Sequence, residues 1–503
     1  MNGKAILAVL AFALVATVGS AIGAKQYVGP GPQMTIEWSW NVSKYPNLVA
    51  KVGASPDVTL GAIITDDIDK DGAVEILFAF RKAEDRVICL DSKTKDLQWV
   101  YPSLDKDPFL QGDPWGIGSI EDIDADGNKE ILIIARDKNL HCITPAGQLK
   151  WMYECGGSEI APALYDVNMD GKLEIIIGPL KTSKVTLLDN TGKLIWDFPV
   201  NSYRNCGSTA FDVDRDGEVE ILTEDGAGNM YCVSSTGAEK WRLEMGDVPH
   251  QEKPVIADVN KDGEYEILIY AHNGLLYCLS FFGTEIWRFE IGKIRINATT
   301  TYWDLVEDAG KCEGGFAVAD VDGDGALEVL VGDWIGNFHC VNGATGAEKW
   351  YTHFPSEMWT GITVGDVNGD GKVDVVSAGE GDADAEIYEF FGLTAPSYPA
   401  GVMAALDGKT GAVVGVYPTS VGCCQAMGDL DADGKLEIAS YVWEGNGILA
   451  VLTMNGKYEA KLTPWPLRFL NLHNNPVISI AEPAFVAVIL AFALAQVLNR
   501  RGK

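Results

Sequence analysis

The chain has 503 residues, of which 71 are Asp or Glu and 39 are Lys or Arg, and its formal net charge is −32. This length allows several domains or one large array of repeats. The excess of acid, without a basic stripe along the chain, argues against a nucleic-acid partner.

The first 24 residues have the pattern of a signal peptide. Lys4 precedes an apolar run over residues 5–18, and small residues follow up to Ala24. A basic start, a short apolar stretch and small residues near a cleavage point are typical of segments that direct export. We expect residues 1–24 to be a cleaved signal peptide, with an uncleaved anchor as the alternative.

An acidic loop recurs eight times between residues 67 and 437. In the sixth copy, residues 320–328, side-chain oxygens stand at loop positions 1, 3, 5 and 9, and Gly325 stands at position 6. Ca²⁺ takes about six to eight oxygen ligands, and Gly adopts backbone angles that other residues resist. Plain Asp/Gly turns are the alternative, but a turn has no need of the acid at position 9. The pattern therefore predicts up to eight structural Ca²⁺ ions.

The predicted metal ligands are the residues at positions 1, 3, 5 and 9 of each copy. Asn stands at position 3 in three copies and still presents an oxygen. In chain order the ligands are Asp67, Asp69, Asp71 and Glu75; Asp122, Asp124, Asp126 and Glu130; Asp166, Asn168, Asp170 and Glu174; Asp212, Asp214, Asp216 and Glu220; Asp258, Asn260, Asp262 and Glu266; Asp320, Asp322, Asp324 and Glu328; Asp366, Asn368, Asp370 and Asp374; and Asp429, Asp431, Asp433 and Glu437.

Short apolar runs flank every acidic loop. In the sixth copy the runs cover residues 315–320, 327–331, 337–341 and 348–352, and turn residues separate them. Runs of this length, rich in β-branched residues, predict buried strands. Four antiparallel strands in about 40–46 residues are the size of a propeller blade. The chain is therefore predicted to be all-β, with an eight-bladed β-propeller over residues 35–462 and a seven-bladed ring as the alternative.

The hairpin between the third and fourth strands carries a repeated Trp and, in most copies, a Cys. Because both recur at fixed strand positions, we expect the Trp residues to pack between blades and the Cys residues to be buried. The Trp residues are Trp99, Trp151, Trp196, Trp241, Trp287 and Trp350, and the Cys residues are Cys89, Cys142, Cys232, Cys278 and Cys340.

These motifs resemble two kinds of propeller repeat. The acidic loops are similar to the FG-GAP/VCBS repeats of integrin α-subunits and of many prokaryotic surface proteins. Hairpins such as residues 189–196 resemble the repeats of PQQ-binding-like propellers. The resemblance spans about residues 35 to 465. It implies the propeller fold strongly and function only weakly.

The closure of the ring has two solutions in the sequence. Residues 35–40 look like a fourth strand without its own first three, and they would complete the eighth blade. Residues 457–462 would equally supply that blade with a fourth strand of its own. The sequence alone allows both.

Strand alternation assigns the connections to two faces of the disc. The acidic loops and the third-to-fourth hairpins fall on one face, and three long insertions fall on the other. Because function in repeat folds usually lies on the face with insertions, as in the integrin propellers that this one resembles, we expect ligand binding there. Caps over the channel, or contacts to a neighbour, are the alternative. The aromatic residues expected at this ligand face are Trp115, Tyr302, Trp303, Tyr388 and Phe391, accompanied by Phe109, Phe390 and Tyr398.

The C-terminal region is predicted to tether the protein to a membrane. Residues 463–482 contain several Pro and are interpreted as a linker. Residues 484–498 are apolar apart from Gln496, and Arg500, Arg501 and Lys503 follow. Basic residues after an apolar segment favour the cytoplasmic side. Residues 483–503 also resemble the PEP-CTERM type of sorting signal, which implies an exported, cell-surface protein whose tail is exchanged or retained.

The expected function is that of a non-catalytic, calcium-binding surface module for a glycan, a protein or a neighbouring cell. A polysaccharide-active enzyme resembling rhamnogalacturonan lyases is the main alternative, and a PQQ-dependent dehydrogenase, suggested by the adjacent Cys423 and Cys424, is the weaker one. No catalytic residue is assigned, and the six His residues form no zinc motif. Basic and acidic residues for a lyase would come from Arg204, Lys293, Arg295, Lys311, Glu307 and Asp308.

Overall fold

A computed structural model describes most of the predicted propeller. The described residues are 34–52, 57–58, 63–81, 86–104, 116–135, 137–156, 160–179, 181–202, 207–246, 253–271, 274–291, 295–297, 300–301, 316–333, 337–353, 361–379, 401–419, 425–442, 448–458 and 477–478. The signal peptide at 1–24, the ligand-face aromatics, the adjacent Cys pair and the tail at 483–503 lie outside them. Within the described part of the chain, no helix is both long enough and apolar enough to cross a membrane.

Eight antiparallel sheets of four strands form an eight-bladed β-propeller, as the repeats predict. Within each blade the strands follow one another from the inside of the ring outward. Blades 1 to 4 consist of Ile64–Asp66, Glu75–Arg81, Arg86–Asp91 and Asp96–Tyr101; Gly116–Glu121, Glu130–Ile134, Asn139–Ile143 and Leu149–Glu154; Ala163–Tyr165, Glu174–Ile177, Lys184–Leu188 and Leu194–Pro199; and Ser208–Phe211, Glu220–Glu224, Asn229–Ser234 and Glu239–Glu244.

The second half of the ring repeats this arrangement. Blades 5 to 7 consist of Val255–Ala257, Glu266–Ala271, Leu275–Ser280 and Glu285–Glu290; Phe316–Ala319, Glu328–Gly332, Asn337–Asn342 and Glu348–His353; and Thr363–Gly365, Asp374–Gly379, Gly401–Asp407 and Val413–Thr419. The eighth blade contains Ala426–Gly428, Lys435–Val442 and Ile448–Lys457, and its fourth strand is Thr35–Trp40.

A few short elements lie outside this plan. A 3₁₀ turn, Val42–Lys44, and one helix, Pro46–Val52, follow the first strand. Asp57–Val58 pairs with the far end of Glu75–Arg81, and Arg295–Asn297 pairs with Thr300–Thr301. Within the predicted linker, Val477–Ile478 pairs in parallel with Val255–Ala257, the innermost strand of blade 5.

The hydrophobic core lies between the blades. The second strand of blade 4, Glu220–Glu224, is buried along its whole length, whereas its fourth strand, Glu239–Glu244, has mostly exposed or half-buried residues. This follows from the position of each strand, because inner strands are covered by both neighbouring sheets and outer strands meet water. One core cluster, for example, joins Leu77 and Val87 of blade 1 to Ile131 and Ile143 of blade 2.

The N-terminal strand closes the ring. Thr35–Trp40 pairs antiparallel with Ile448–Lys457, with Trp40 opposite Leu449. The alternative assigned the fourth strand of blade 8 to residues 457–462. It is wrong for Lys457, which is the last residue of the third strand. The outer edge of that strand is already occupied by Thr35–Trp40.

The repeated Trp residues pack between blades, as predicted. The Trp287 indole Nε1 donates a hydrogen bond to the Gly343 carbonyl of the next blade at 2.8 Å, and Trp350 does the same to Gly408 at 2.7 Å. A Cβ added at Gly346, where φ is +69°, would lie 2.8 Å from the Trp287 ring. The five strand-three Cys residues are also buried, as predicted.

Candidate metal centres

The acidic loop folds around its own carboxylates. In the sixth copy the Gly325 N–H donates to Asp320 Oδ2 at 2.8 Å, and the Val321 N–H donates to Glu328 Oε2 at 3.1 Å. The Asp324 N–H donates to Asp322 Oδ1 at 3.1 Å. The Gly323 N–H also donates to Asp320 Oδ1 at 2.8 Å, so the backbone contacts both oxygens of that acid. It contacts only one oxygen each of Asp322 and Glu328, which leaves Oδ2 and Oε1 for another partner.

The loop backbone requires glycine at position 6. Gly325 has φ of +86°, and the equivalent glycines of the other loops have φ between +81° and +94°. L-residues with side chains rarely adopt this region. The turn brings positions 1, 3 and 5 round to one side, which is the arrangement that the sequence spacing predicts.

The structure brings carboxylate atoms of the predicted ligands together in five of the eight blades. In blade 8, one ligand atom from each of the four acids lies within 4.8 Å of the others. In four more blades three acids do so: Asp67, Asp69 and Asp71; Asp122, Asp124 and Glu130; Asp212, Asp214 and Asp216; and Asp320, Asp322 and Asp324. Among the described acids, blades 3, 5 and 7, which carry Asn168, Asn260 and Asn368 at position 3, form no such group of three.

A bulge in the fourth strand of each blade leaves one extra residue next to the strand-three partner. In blade 6 the register shifts next to the pair of Cys340 and Trp350, and Lys349 is the extra residue. A bulge leaves one residue unpaired and redirects its side chain. The corresponding residues of blades 1 to 8 are Gln98, Lys150, Ile195, Lys240, Ile286, Lys349, Val414 and Glu37.

In blades 2, 4 and 6 this bulge residue is a Lys that contacts the loop acids. Lys349 Nζ lies 2.7 Å from Asp322 Oδ2 and 2.8 Å from Glu328 Oε1. Lys150 Nζ lies 2.7 Å from Glu130 Oε1, and Lys240 Nζ lies 2.6 Å from Glu220 Oε1. The ammonium group therefore binds the carboxylate oxygens that the loop backbone leaves unused.

Other donors take the place of Lys in three more blades. Gln98 Nε2 donates to Glu75 Oε1 at 3.1 Å in blade 1. Asn168 Nδ2 donates to Glu174 Oε1, and Asn260 Nδ2 donates to Glu266 Oε1, both at 2.8 Å. In blades 7 and 8 the equivalent buried oxygens, Oδ1 of Asp374 and Oε1 of Glu437, have no hydrogen-bond partner.

The position-9 acids are buried, which raises their pKa values. Burial raises the pKa of Glu75, Glu174 and Glu266 to about 7, and it raises the pKa of Asp374 and Glu437 to about 8. In each case neighbouring loop carboxylates add to the effect of burial. A cation at the loop would offset both contributions, so the donor set fits a hard metal ion.

Histidine does not join these centres in the described structure. His141 is fully buried, with Tyr101 Oη at 2.9 Å from Nδ1 and Asp137 Oδ2 at 2.9 Å from Nε2. His339 is 2 % exposed, and its Nδ1 lies 2.9 Å from Glu348 Oε1. Both rings therefore serve internal hydrogen bonding.

The sequence reasoning missed the bulge residues. Lys150, Lys240, Lys349 and Glu37 each directly precede a Trp, and that spacing was available as a signal. The predicted ligand-face residues, Trp115, Tyr302, Trp303, Tyr388 and Phe391, lie outside the described residues, and so does most of the lyase set. Of that set, only the backbone of Arg295 is described, in the short strand Arg295–Asn297.

Comparisons with known proteins support the repeat assignment. Residues 320–377 match the FG-GAP-like repeat family, and residues 175–257 match the family described as the lambda-carrageenase beta-propeller domain. These matches confirm the predicted resemblance to FG-GAP repeats and to propeller proteins.

Curated relatives cover only a small part of the chain. Lambda-carrageenases from Pseudoalteromonas sp. and Pseudoalteromonas carrageenovora are 32 % and 33 % identical to it over 66 residues. That stretch is 13 % of this chain and 7 % of the length of each relative.

Solved structures share the fold at low identity. A quinohemoprotein alcohol dehydrogenase from Comamonas testosteroni is 13 % identical, with a TM-score of 0.53 over 85 % of this chain and 77 % of that one. A europium-containing methanol dehydrogenase is 12 % identical, with a TM-score of 0.51 over 84 % of this chain and 93 % of that one. At such identities the likeness shows the fold alone.

Proposed function

We propose that the protein is an exported, membrane-tethered propeller that binds Ca²⁺ in its acidic loops and an extracellular glycan on its opposite face, without cleaving it. The calcium part rests on the repeated loop, in which acids converge and buried carboxylate oxygens such as Oδ1 of Asp374 and Oε1 of Glu437 have no hydrogen-bond partner. Oxygen donors of this kind suit Ca²⁺. The ion would be structural, because it would bind a loop formed only in the folded blade.

The glycan part has a separate basis. The acidic loops and the third-to-fourth hairpins of the same blades contact each other on one face, as the Lys349 contacts to Asp322 and Glu328 illustrate. Strand alternation predicts that the long insertions lie on the other face, away from the acidic loops. The short similarity to enzymes named for lambda-carrageenan supports a polysaccharide as the ligand class.

A polysaccharide-degrading enzyme is the second candidate function. The same similarity favours it, because the named relatives are carrageenases. The family match at residues 175–257 is to a domain described as a propeller, and it covers parts of blades 3 to 5. A scaffold role for that stretch is consistent with either function.

One experiment separates the two functions. Purified full-length protein would be applied to an array of neutral and sulfated polysaccharides in millimolar Ca²⁺ and again in chelator, and the bound sugars would be analysed for chain cleavage. Both sugar classes are needed because the net charge of −32 disfavours sulfated chains. We expect binding without cleavage. Cleavage would replace the proposal with the enzyme, and no binding to any glycan would overturn the glycan part.

A further inference from the structure

The eighth blade differs from the other seven in the charge that its fourth strand brings to the loop. Three blades present Lys at the bulge position, and blade 8 presents Glu37. Glu37 belongs to Thr35–Trp40, the strand that closes the ring, and it stands 400 residues before Glu437. We call Glu37 together with Asp429, Asp431, Asp433 and Glu437 the clasp site.

The clasp site holds oxygens that lack donors. Glu437 is fully buried, and its Oε1 has no hydrogen-bond partner. Oδ1 of Asp431 and Oε2 of Glu37 are likewise buried and without a partner. Buried acceptors of this kind are costly unless something satisfies them. In blade 6 the matching oxygen of Glu328 has Lys349 at 2.8 Å.

The nearby cations offset only part of this charge. Lys435 Nζ contacts Asp433 and lies 3.6 Å from Glu37 Oε1, and Lys95 Nζ lies 3.7 Å from Asp431 Oδ2. Both Lys side chains are 39 % exposed. Among the described residues, no ion pair reaches Glu437. Five acids against two lysines therefore leave an excess of negative charge around a buried carboxylate.

The seam of the ring depends on non-covalent contacts of the N-terminal strand. Thr35–Trp40 pairs with a single neighbouring strand. Trp38 and Trp40 pack with Phe78 of blade 1 and Val451 of blade 8 in a shared core. A ligand bound by Glu37 and Glu437 at once would add an ionic link between the two ends of the chain.

We propose that the clasp site takes a hard divalent cation, Ca²⁺ by its all-oxygen donor set, which Glu37 shares with the eighth loop, and that this ion fastens the N-terminal strand to the last blade. This inference rests on the proposed calcium binding but assigns it a task that the other loops do not have. In blades 2, 4 and 6 the bulge Lys and the loop acids belong to one continuous repeat, so their contact does not join the two ends of the chain.

Hydrogen exchange of the full-length protein tests the clasp directly. Peptides covering residues 35–40 and 348–353, the fourth strands of blades 8 and 6, would be followed by mass spectrometry in about 10 mM Ca²⁺ and in EDTA. For a site with a Kd of about 10⁻⁴ M, mass action predicts about a hundredfold slower local opening of residues 35–40. The exchange rate of residues 348–353 should change far less, because Lys349 in this strand already pairs with the acids of the blade 6 loop.

A matched pair of variants identifies Glu37 as the shared ligand. Glu37→Gln removes one ligand charge and should reduce the Ca²⁺ effect on residues 35–40 by about tenfold. Glu285→Gln, at an exposed site on the fourth strand of blade 5, should leave it unchanged. The wild-type comparison needs no variant, so the test stands even if Glu37→Gln misfolds.

The outcomes separate the clasp from the general calcium proposal. Equal slowing of residues 35–40 and 348–353, or an unchanged Ca²⁺ effect in Glu37→Gln, would overturn the clasp even where calorimetric titration shows Ca²⁺ binding elsewhere. A titration without any Ca²⁺ binding would instead overturn the proposed calcium function, and the clasp with it.

Discussion

Replacing Lys349 by Met should make blade 6 dependent on calcium. Lys349 Nζ lies 2.8 Å from Oε1 of Glu328, a fully buried acid, and 2.7 Å from Oδ2 of Asp322. Met keeps the length and the apolar contacts of the Lys stem and removes only the charged group. Glu328 Oε1 would then lack a donor, as Glu437 Oε1 does in blade 8.

The size of the effect follows from burial. Removing one partner of a buried ion pair costs about 3–5 kcal/mol, and because the Lys349 side chain is 23 % exposed, we take the lower end, about 3 kcal/mol. Ca²⁺ bound at the loop of the variant, at a hundred times its Kd, would stabilise the folded state by about 2.7 kcal/mol. With an unfolding entropy of about 2.1 cal/mol/K per residue over roughly 400 residues, 3 kcal/mol corresponds to about 4 °C in melting temperature.

The assay compares melting temperatures of the variant and the wild type in two buffers at one scan rate. In EDTA the variant should melt about 4 °C lower, and in about 10 mM Ca²⁺ the difference should shrink to below about 1 °C. Lys184→Met is the control, because Lys184 pairs with Asp197 at 2.7 Å with both side chains about a third exposed. Such surface pairs contribute roughly 0–1 kcal/mol. An equal loss for Lys349→Met in both buffers would refute the reasoning.

Three further predictions concern calcium, the blade contacts and the buried thiols. Chelation should lower the melting temperature of the wild-type protein, because an ion that binds only the folded state stabilises it; superimposable melting curves in EDTA and Ca²⁺ would contradict this. Gly346→Ala would place Cβ 2.8 Å from the Trp287 ring at a φ of +69° and should cost roughly 2–4 kcal/mol. Gly246→Ala, with φ of +81° and nothing within 4 Å, should cost only about 1–2 kcal/mol, and equal melting temperatures for the two variants would argue against Trp packing as the cause. Burial raises the pKa of the Cys232 thiol to about 12, so alkylation at pH 8 should modify it only after unfolding, and rapid labelling of the folded protein would show that the strand opens.

The loop and blade repeats could be predicted from the sequence because their information is local. The four ligand positions of a loop lie within nine residues, and the turn that joins them needs only a glycine at position 6. Apolar runs of strand length recur at a fixed distance from each loop. The Trp and Cys positions follow the same period, so their burial and their packing between blades could be predicted before any contact was known.

The ligand face shows where such reasoning stops. Strand direction alone predicts that aromatic residues such as Trp115 and Tyr302 lie on this face, and it specifies no geometry for them. The insertions that carry them have no repeat partner with which to compare them. Their role therefore stays a prediction that the polysaccharide array tests.

The sequence by itself determined the eight acidic loops, the four-strand blade repeat and the core positions, because each depends on spacing within one repeat. Only the tertiary structure decided which end closes the ring and what each loop acid contacts. The pairing of Thr35–Trp40 with Ile448–Lys457 joins residues more than 400 positions apart. The structure also shows that Lys349 and Glu37 occupy equivalent strand bulges, each beside the acidic loop of its blade. Repeat spacing can be recognised in the sequence because it is local, whereas the partner of a buried charge depends on packing between residues far apart in the chain.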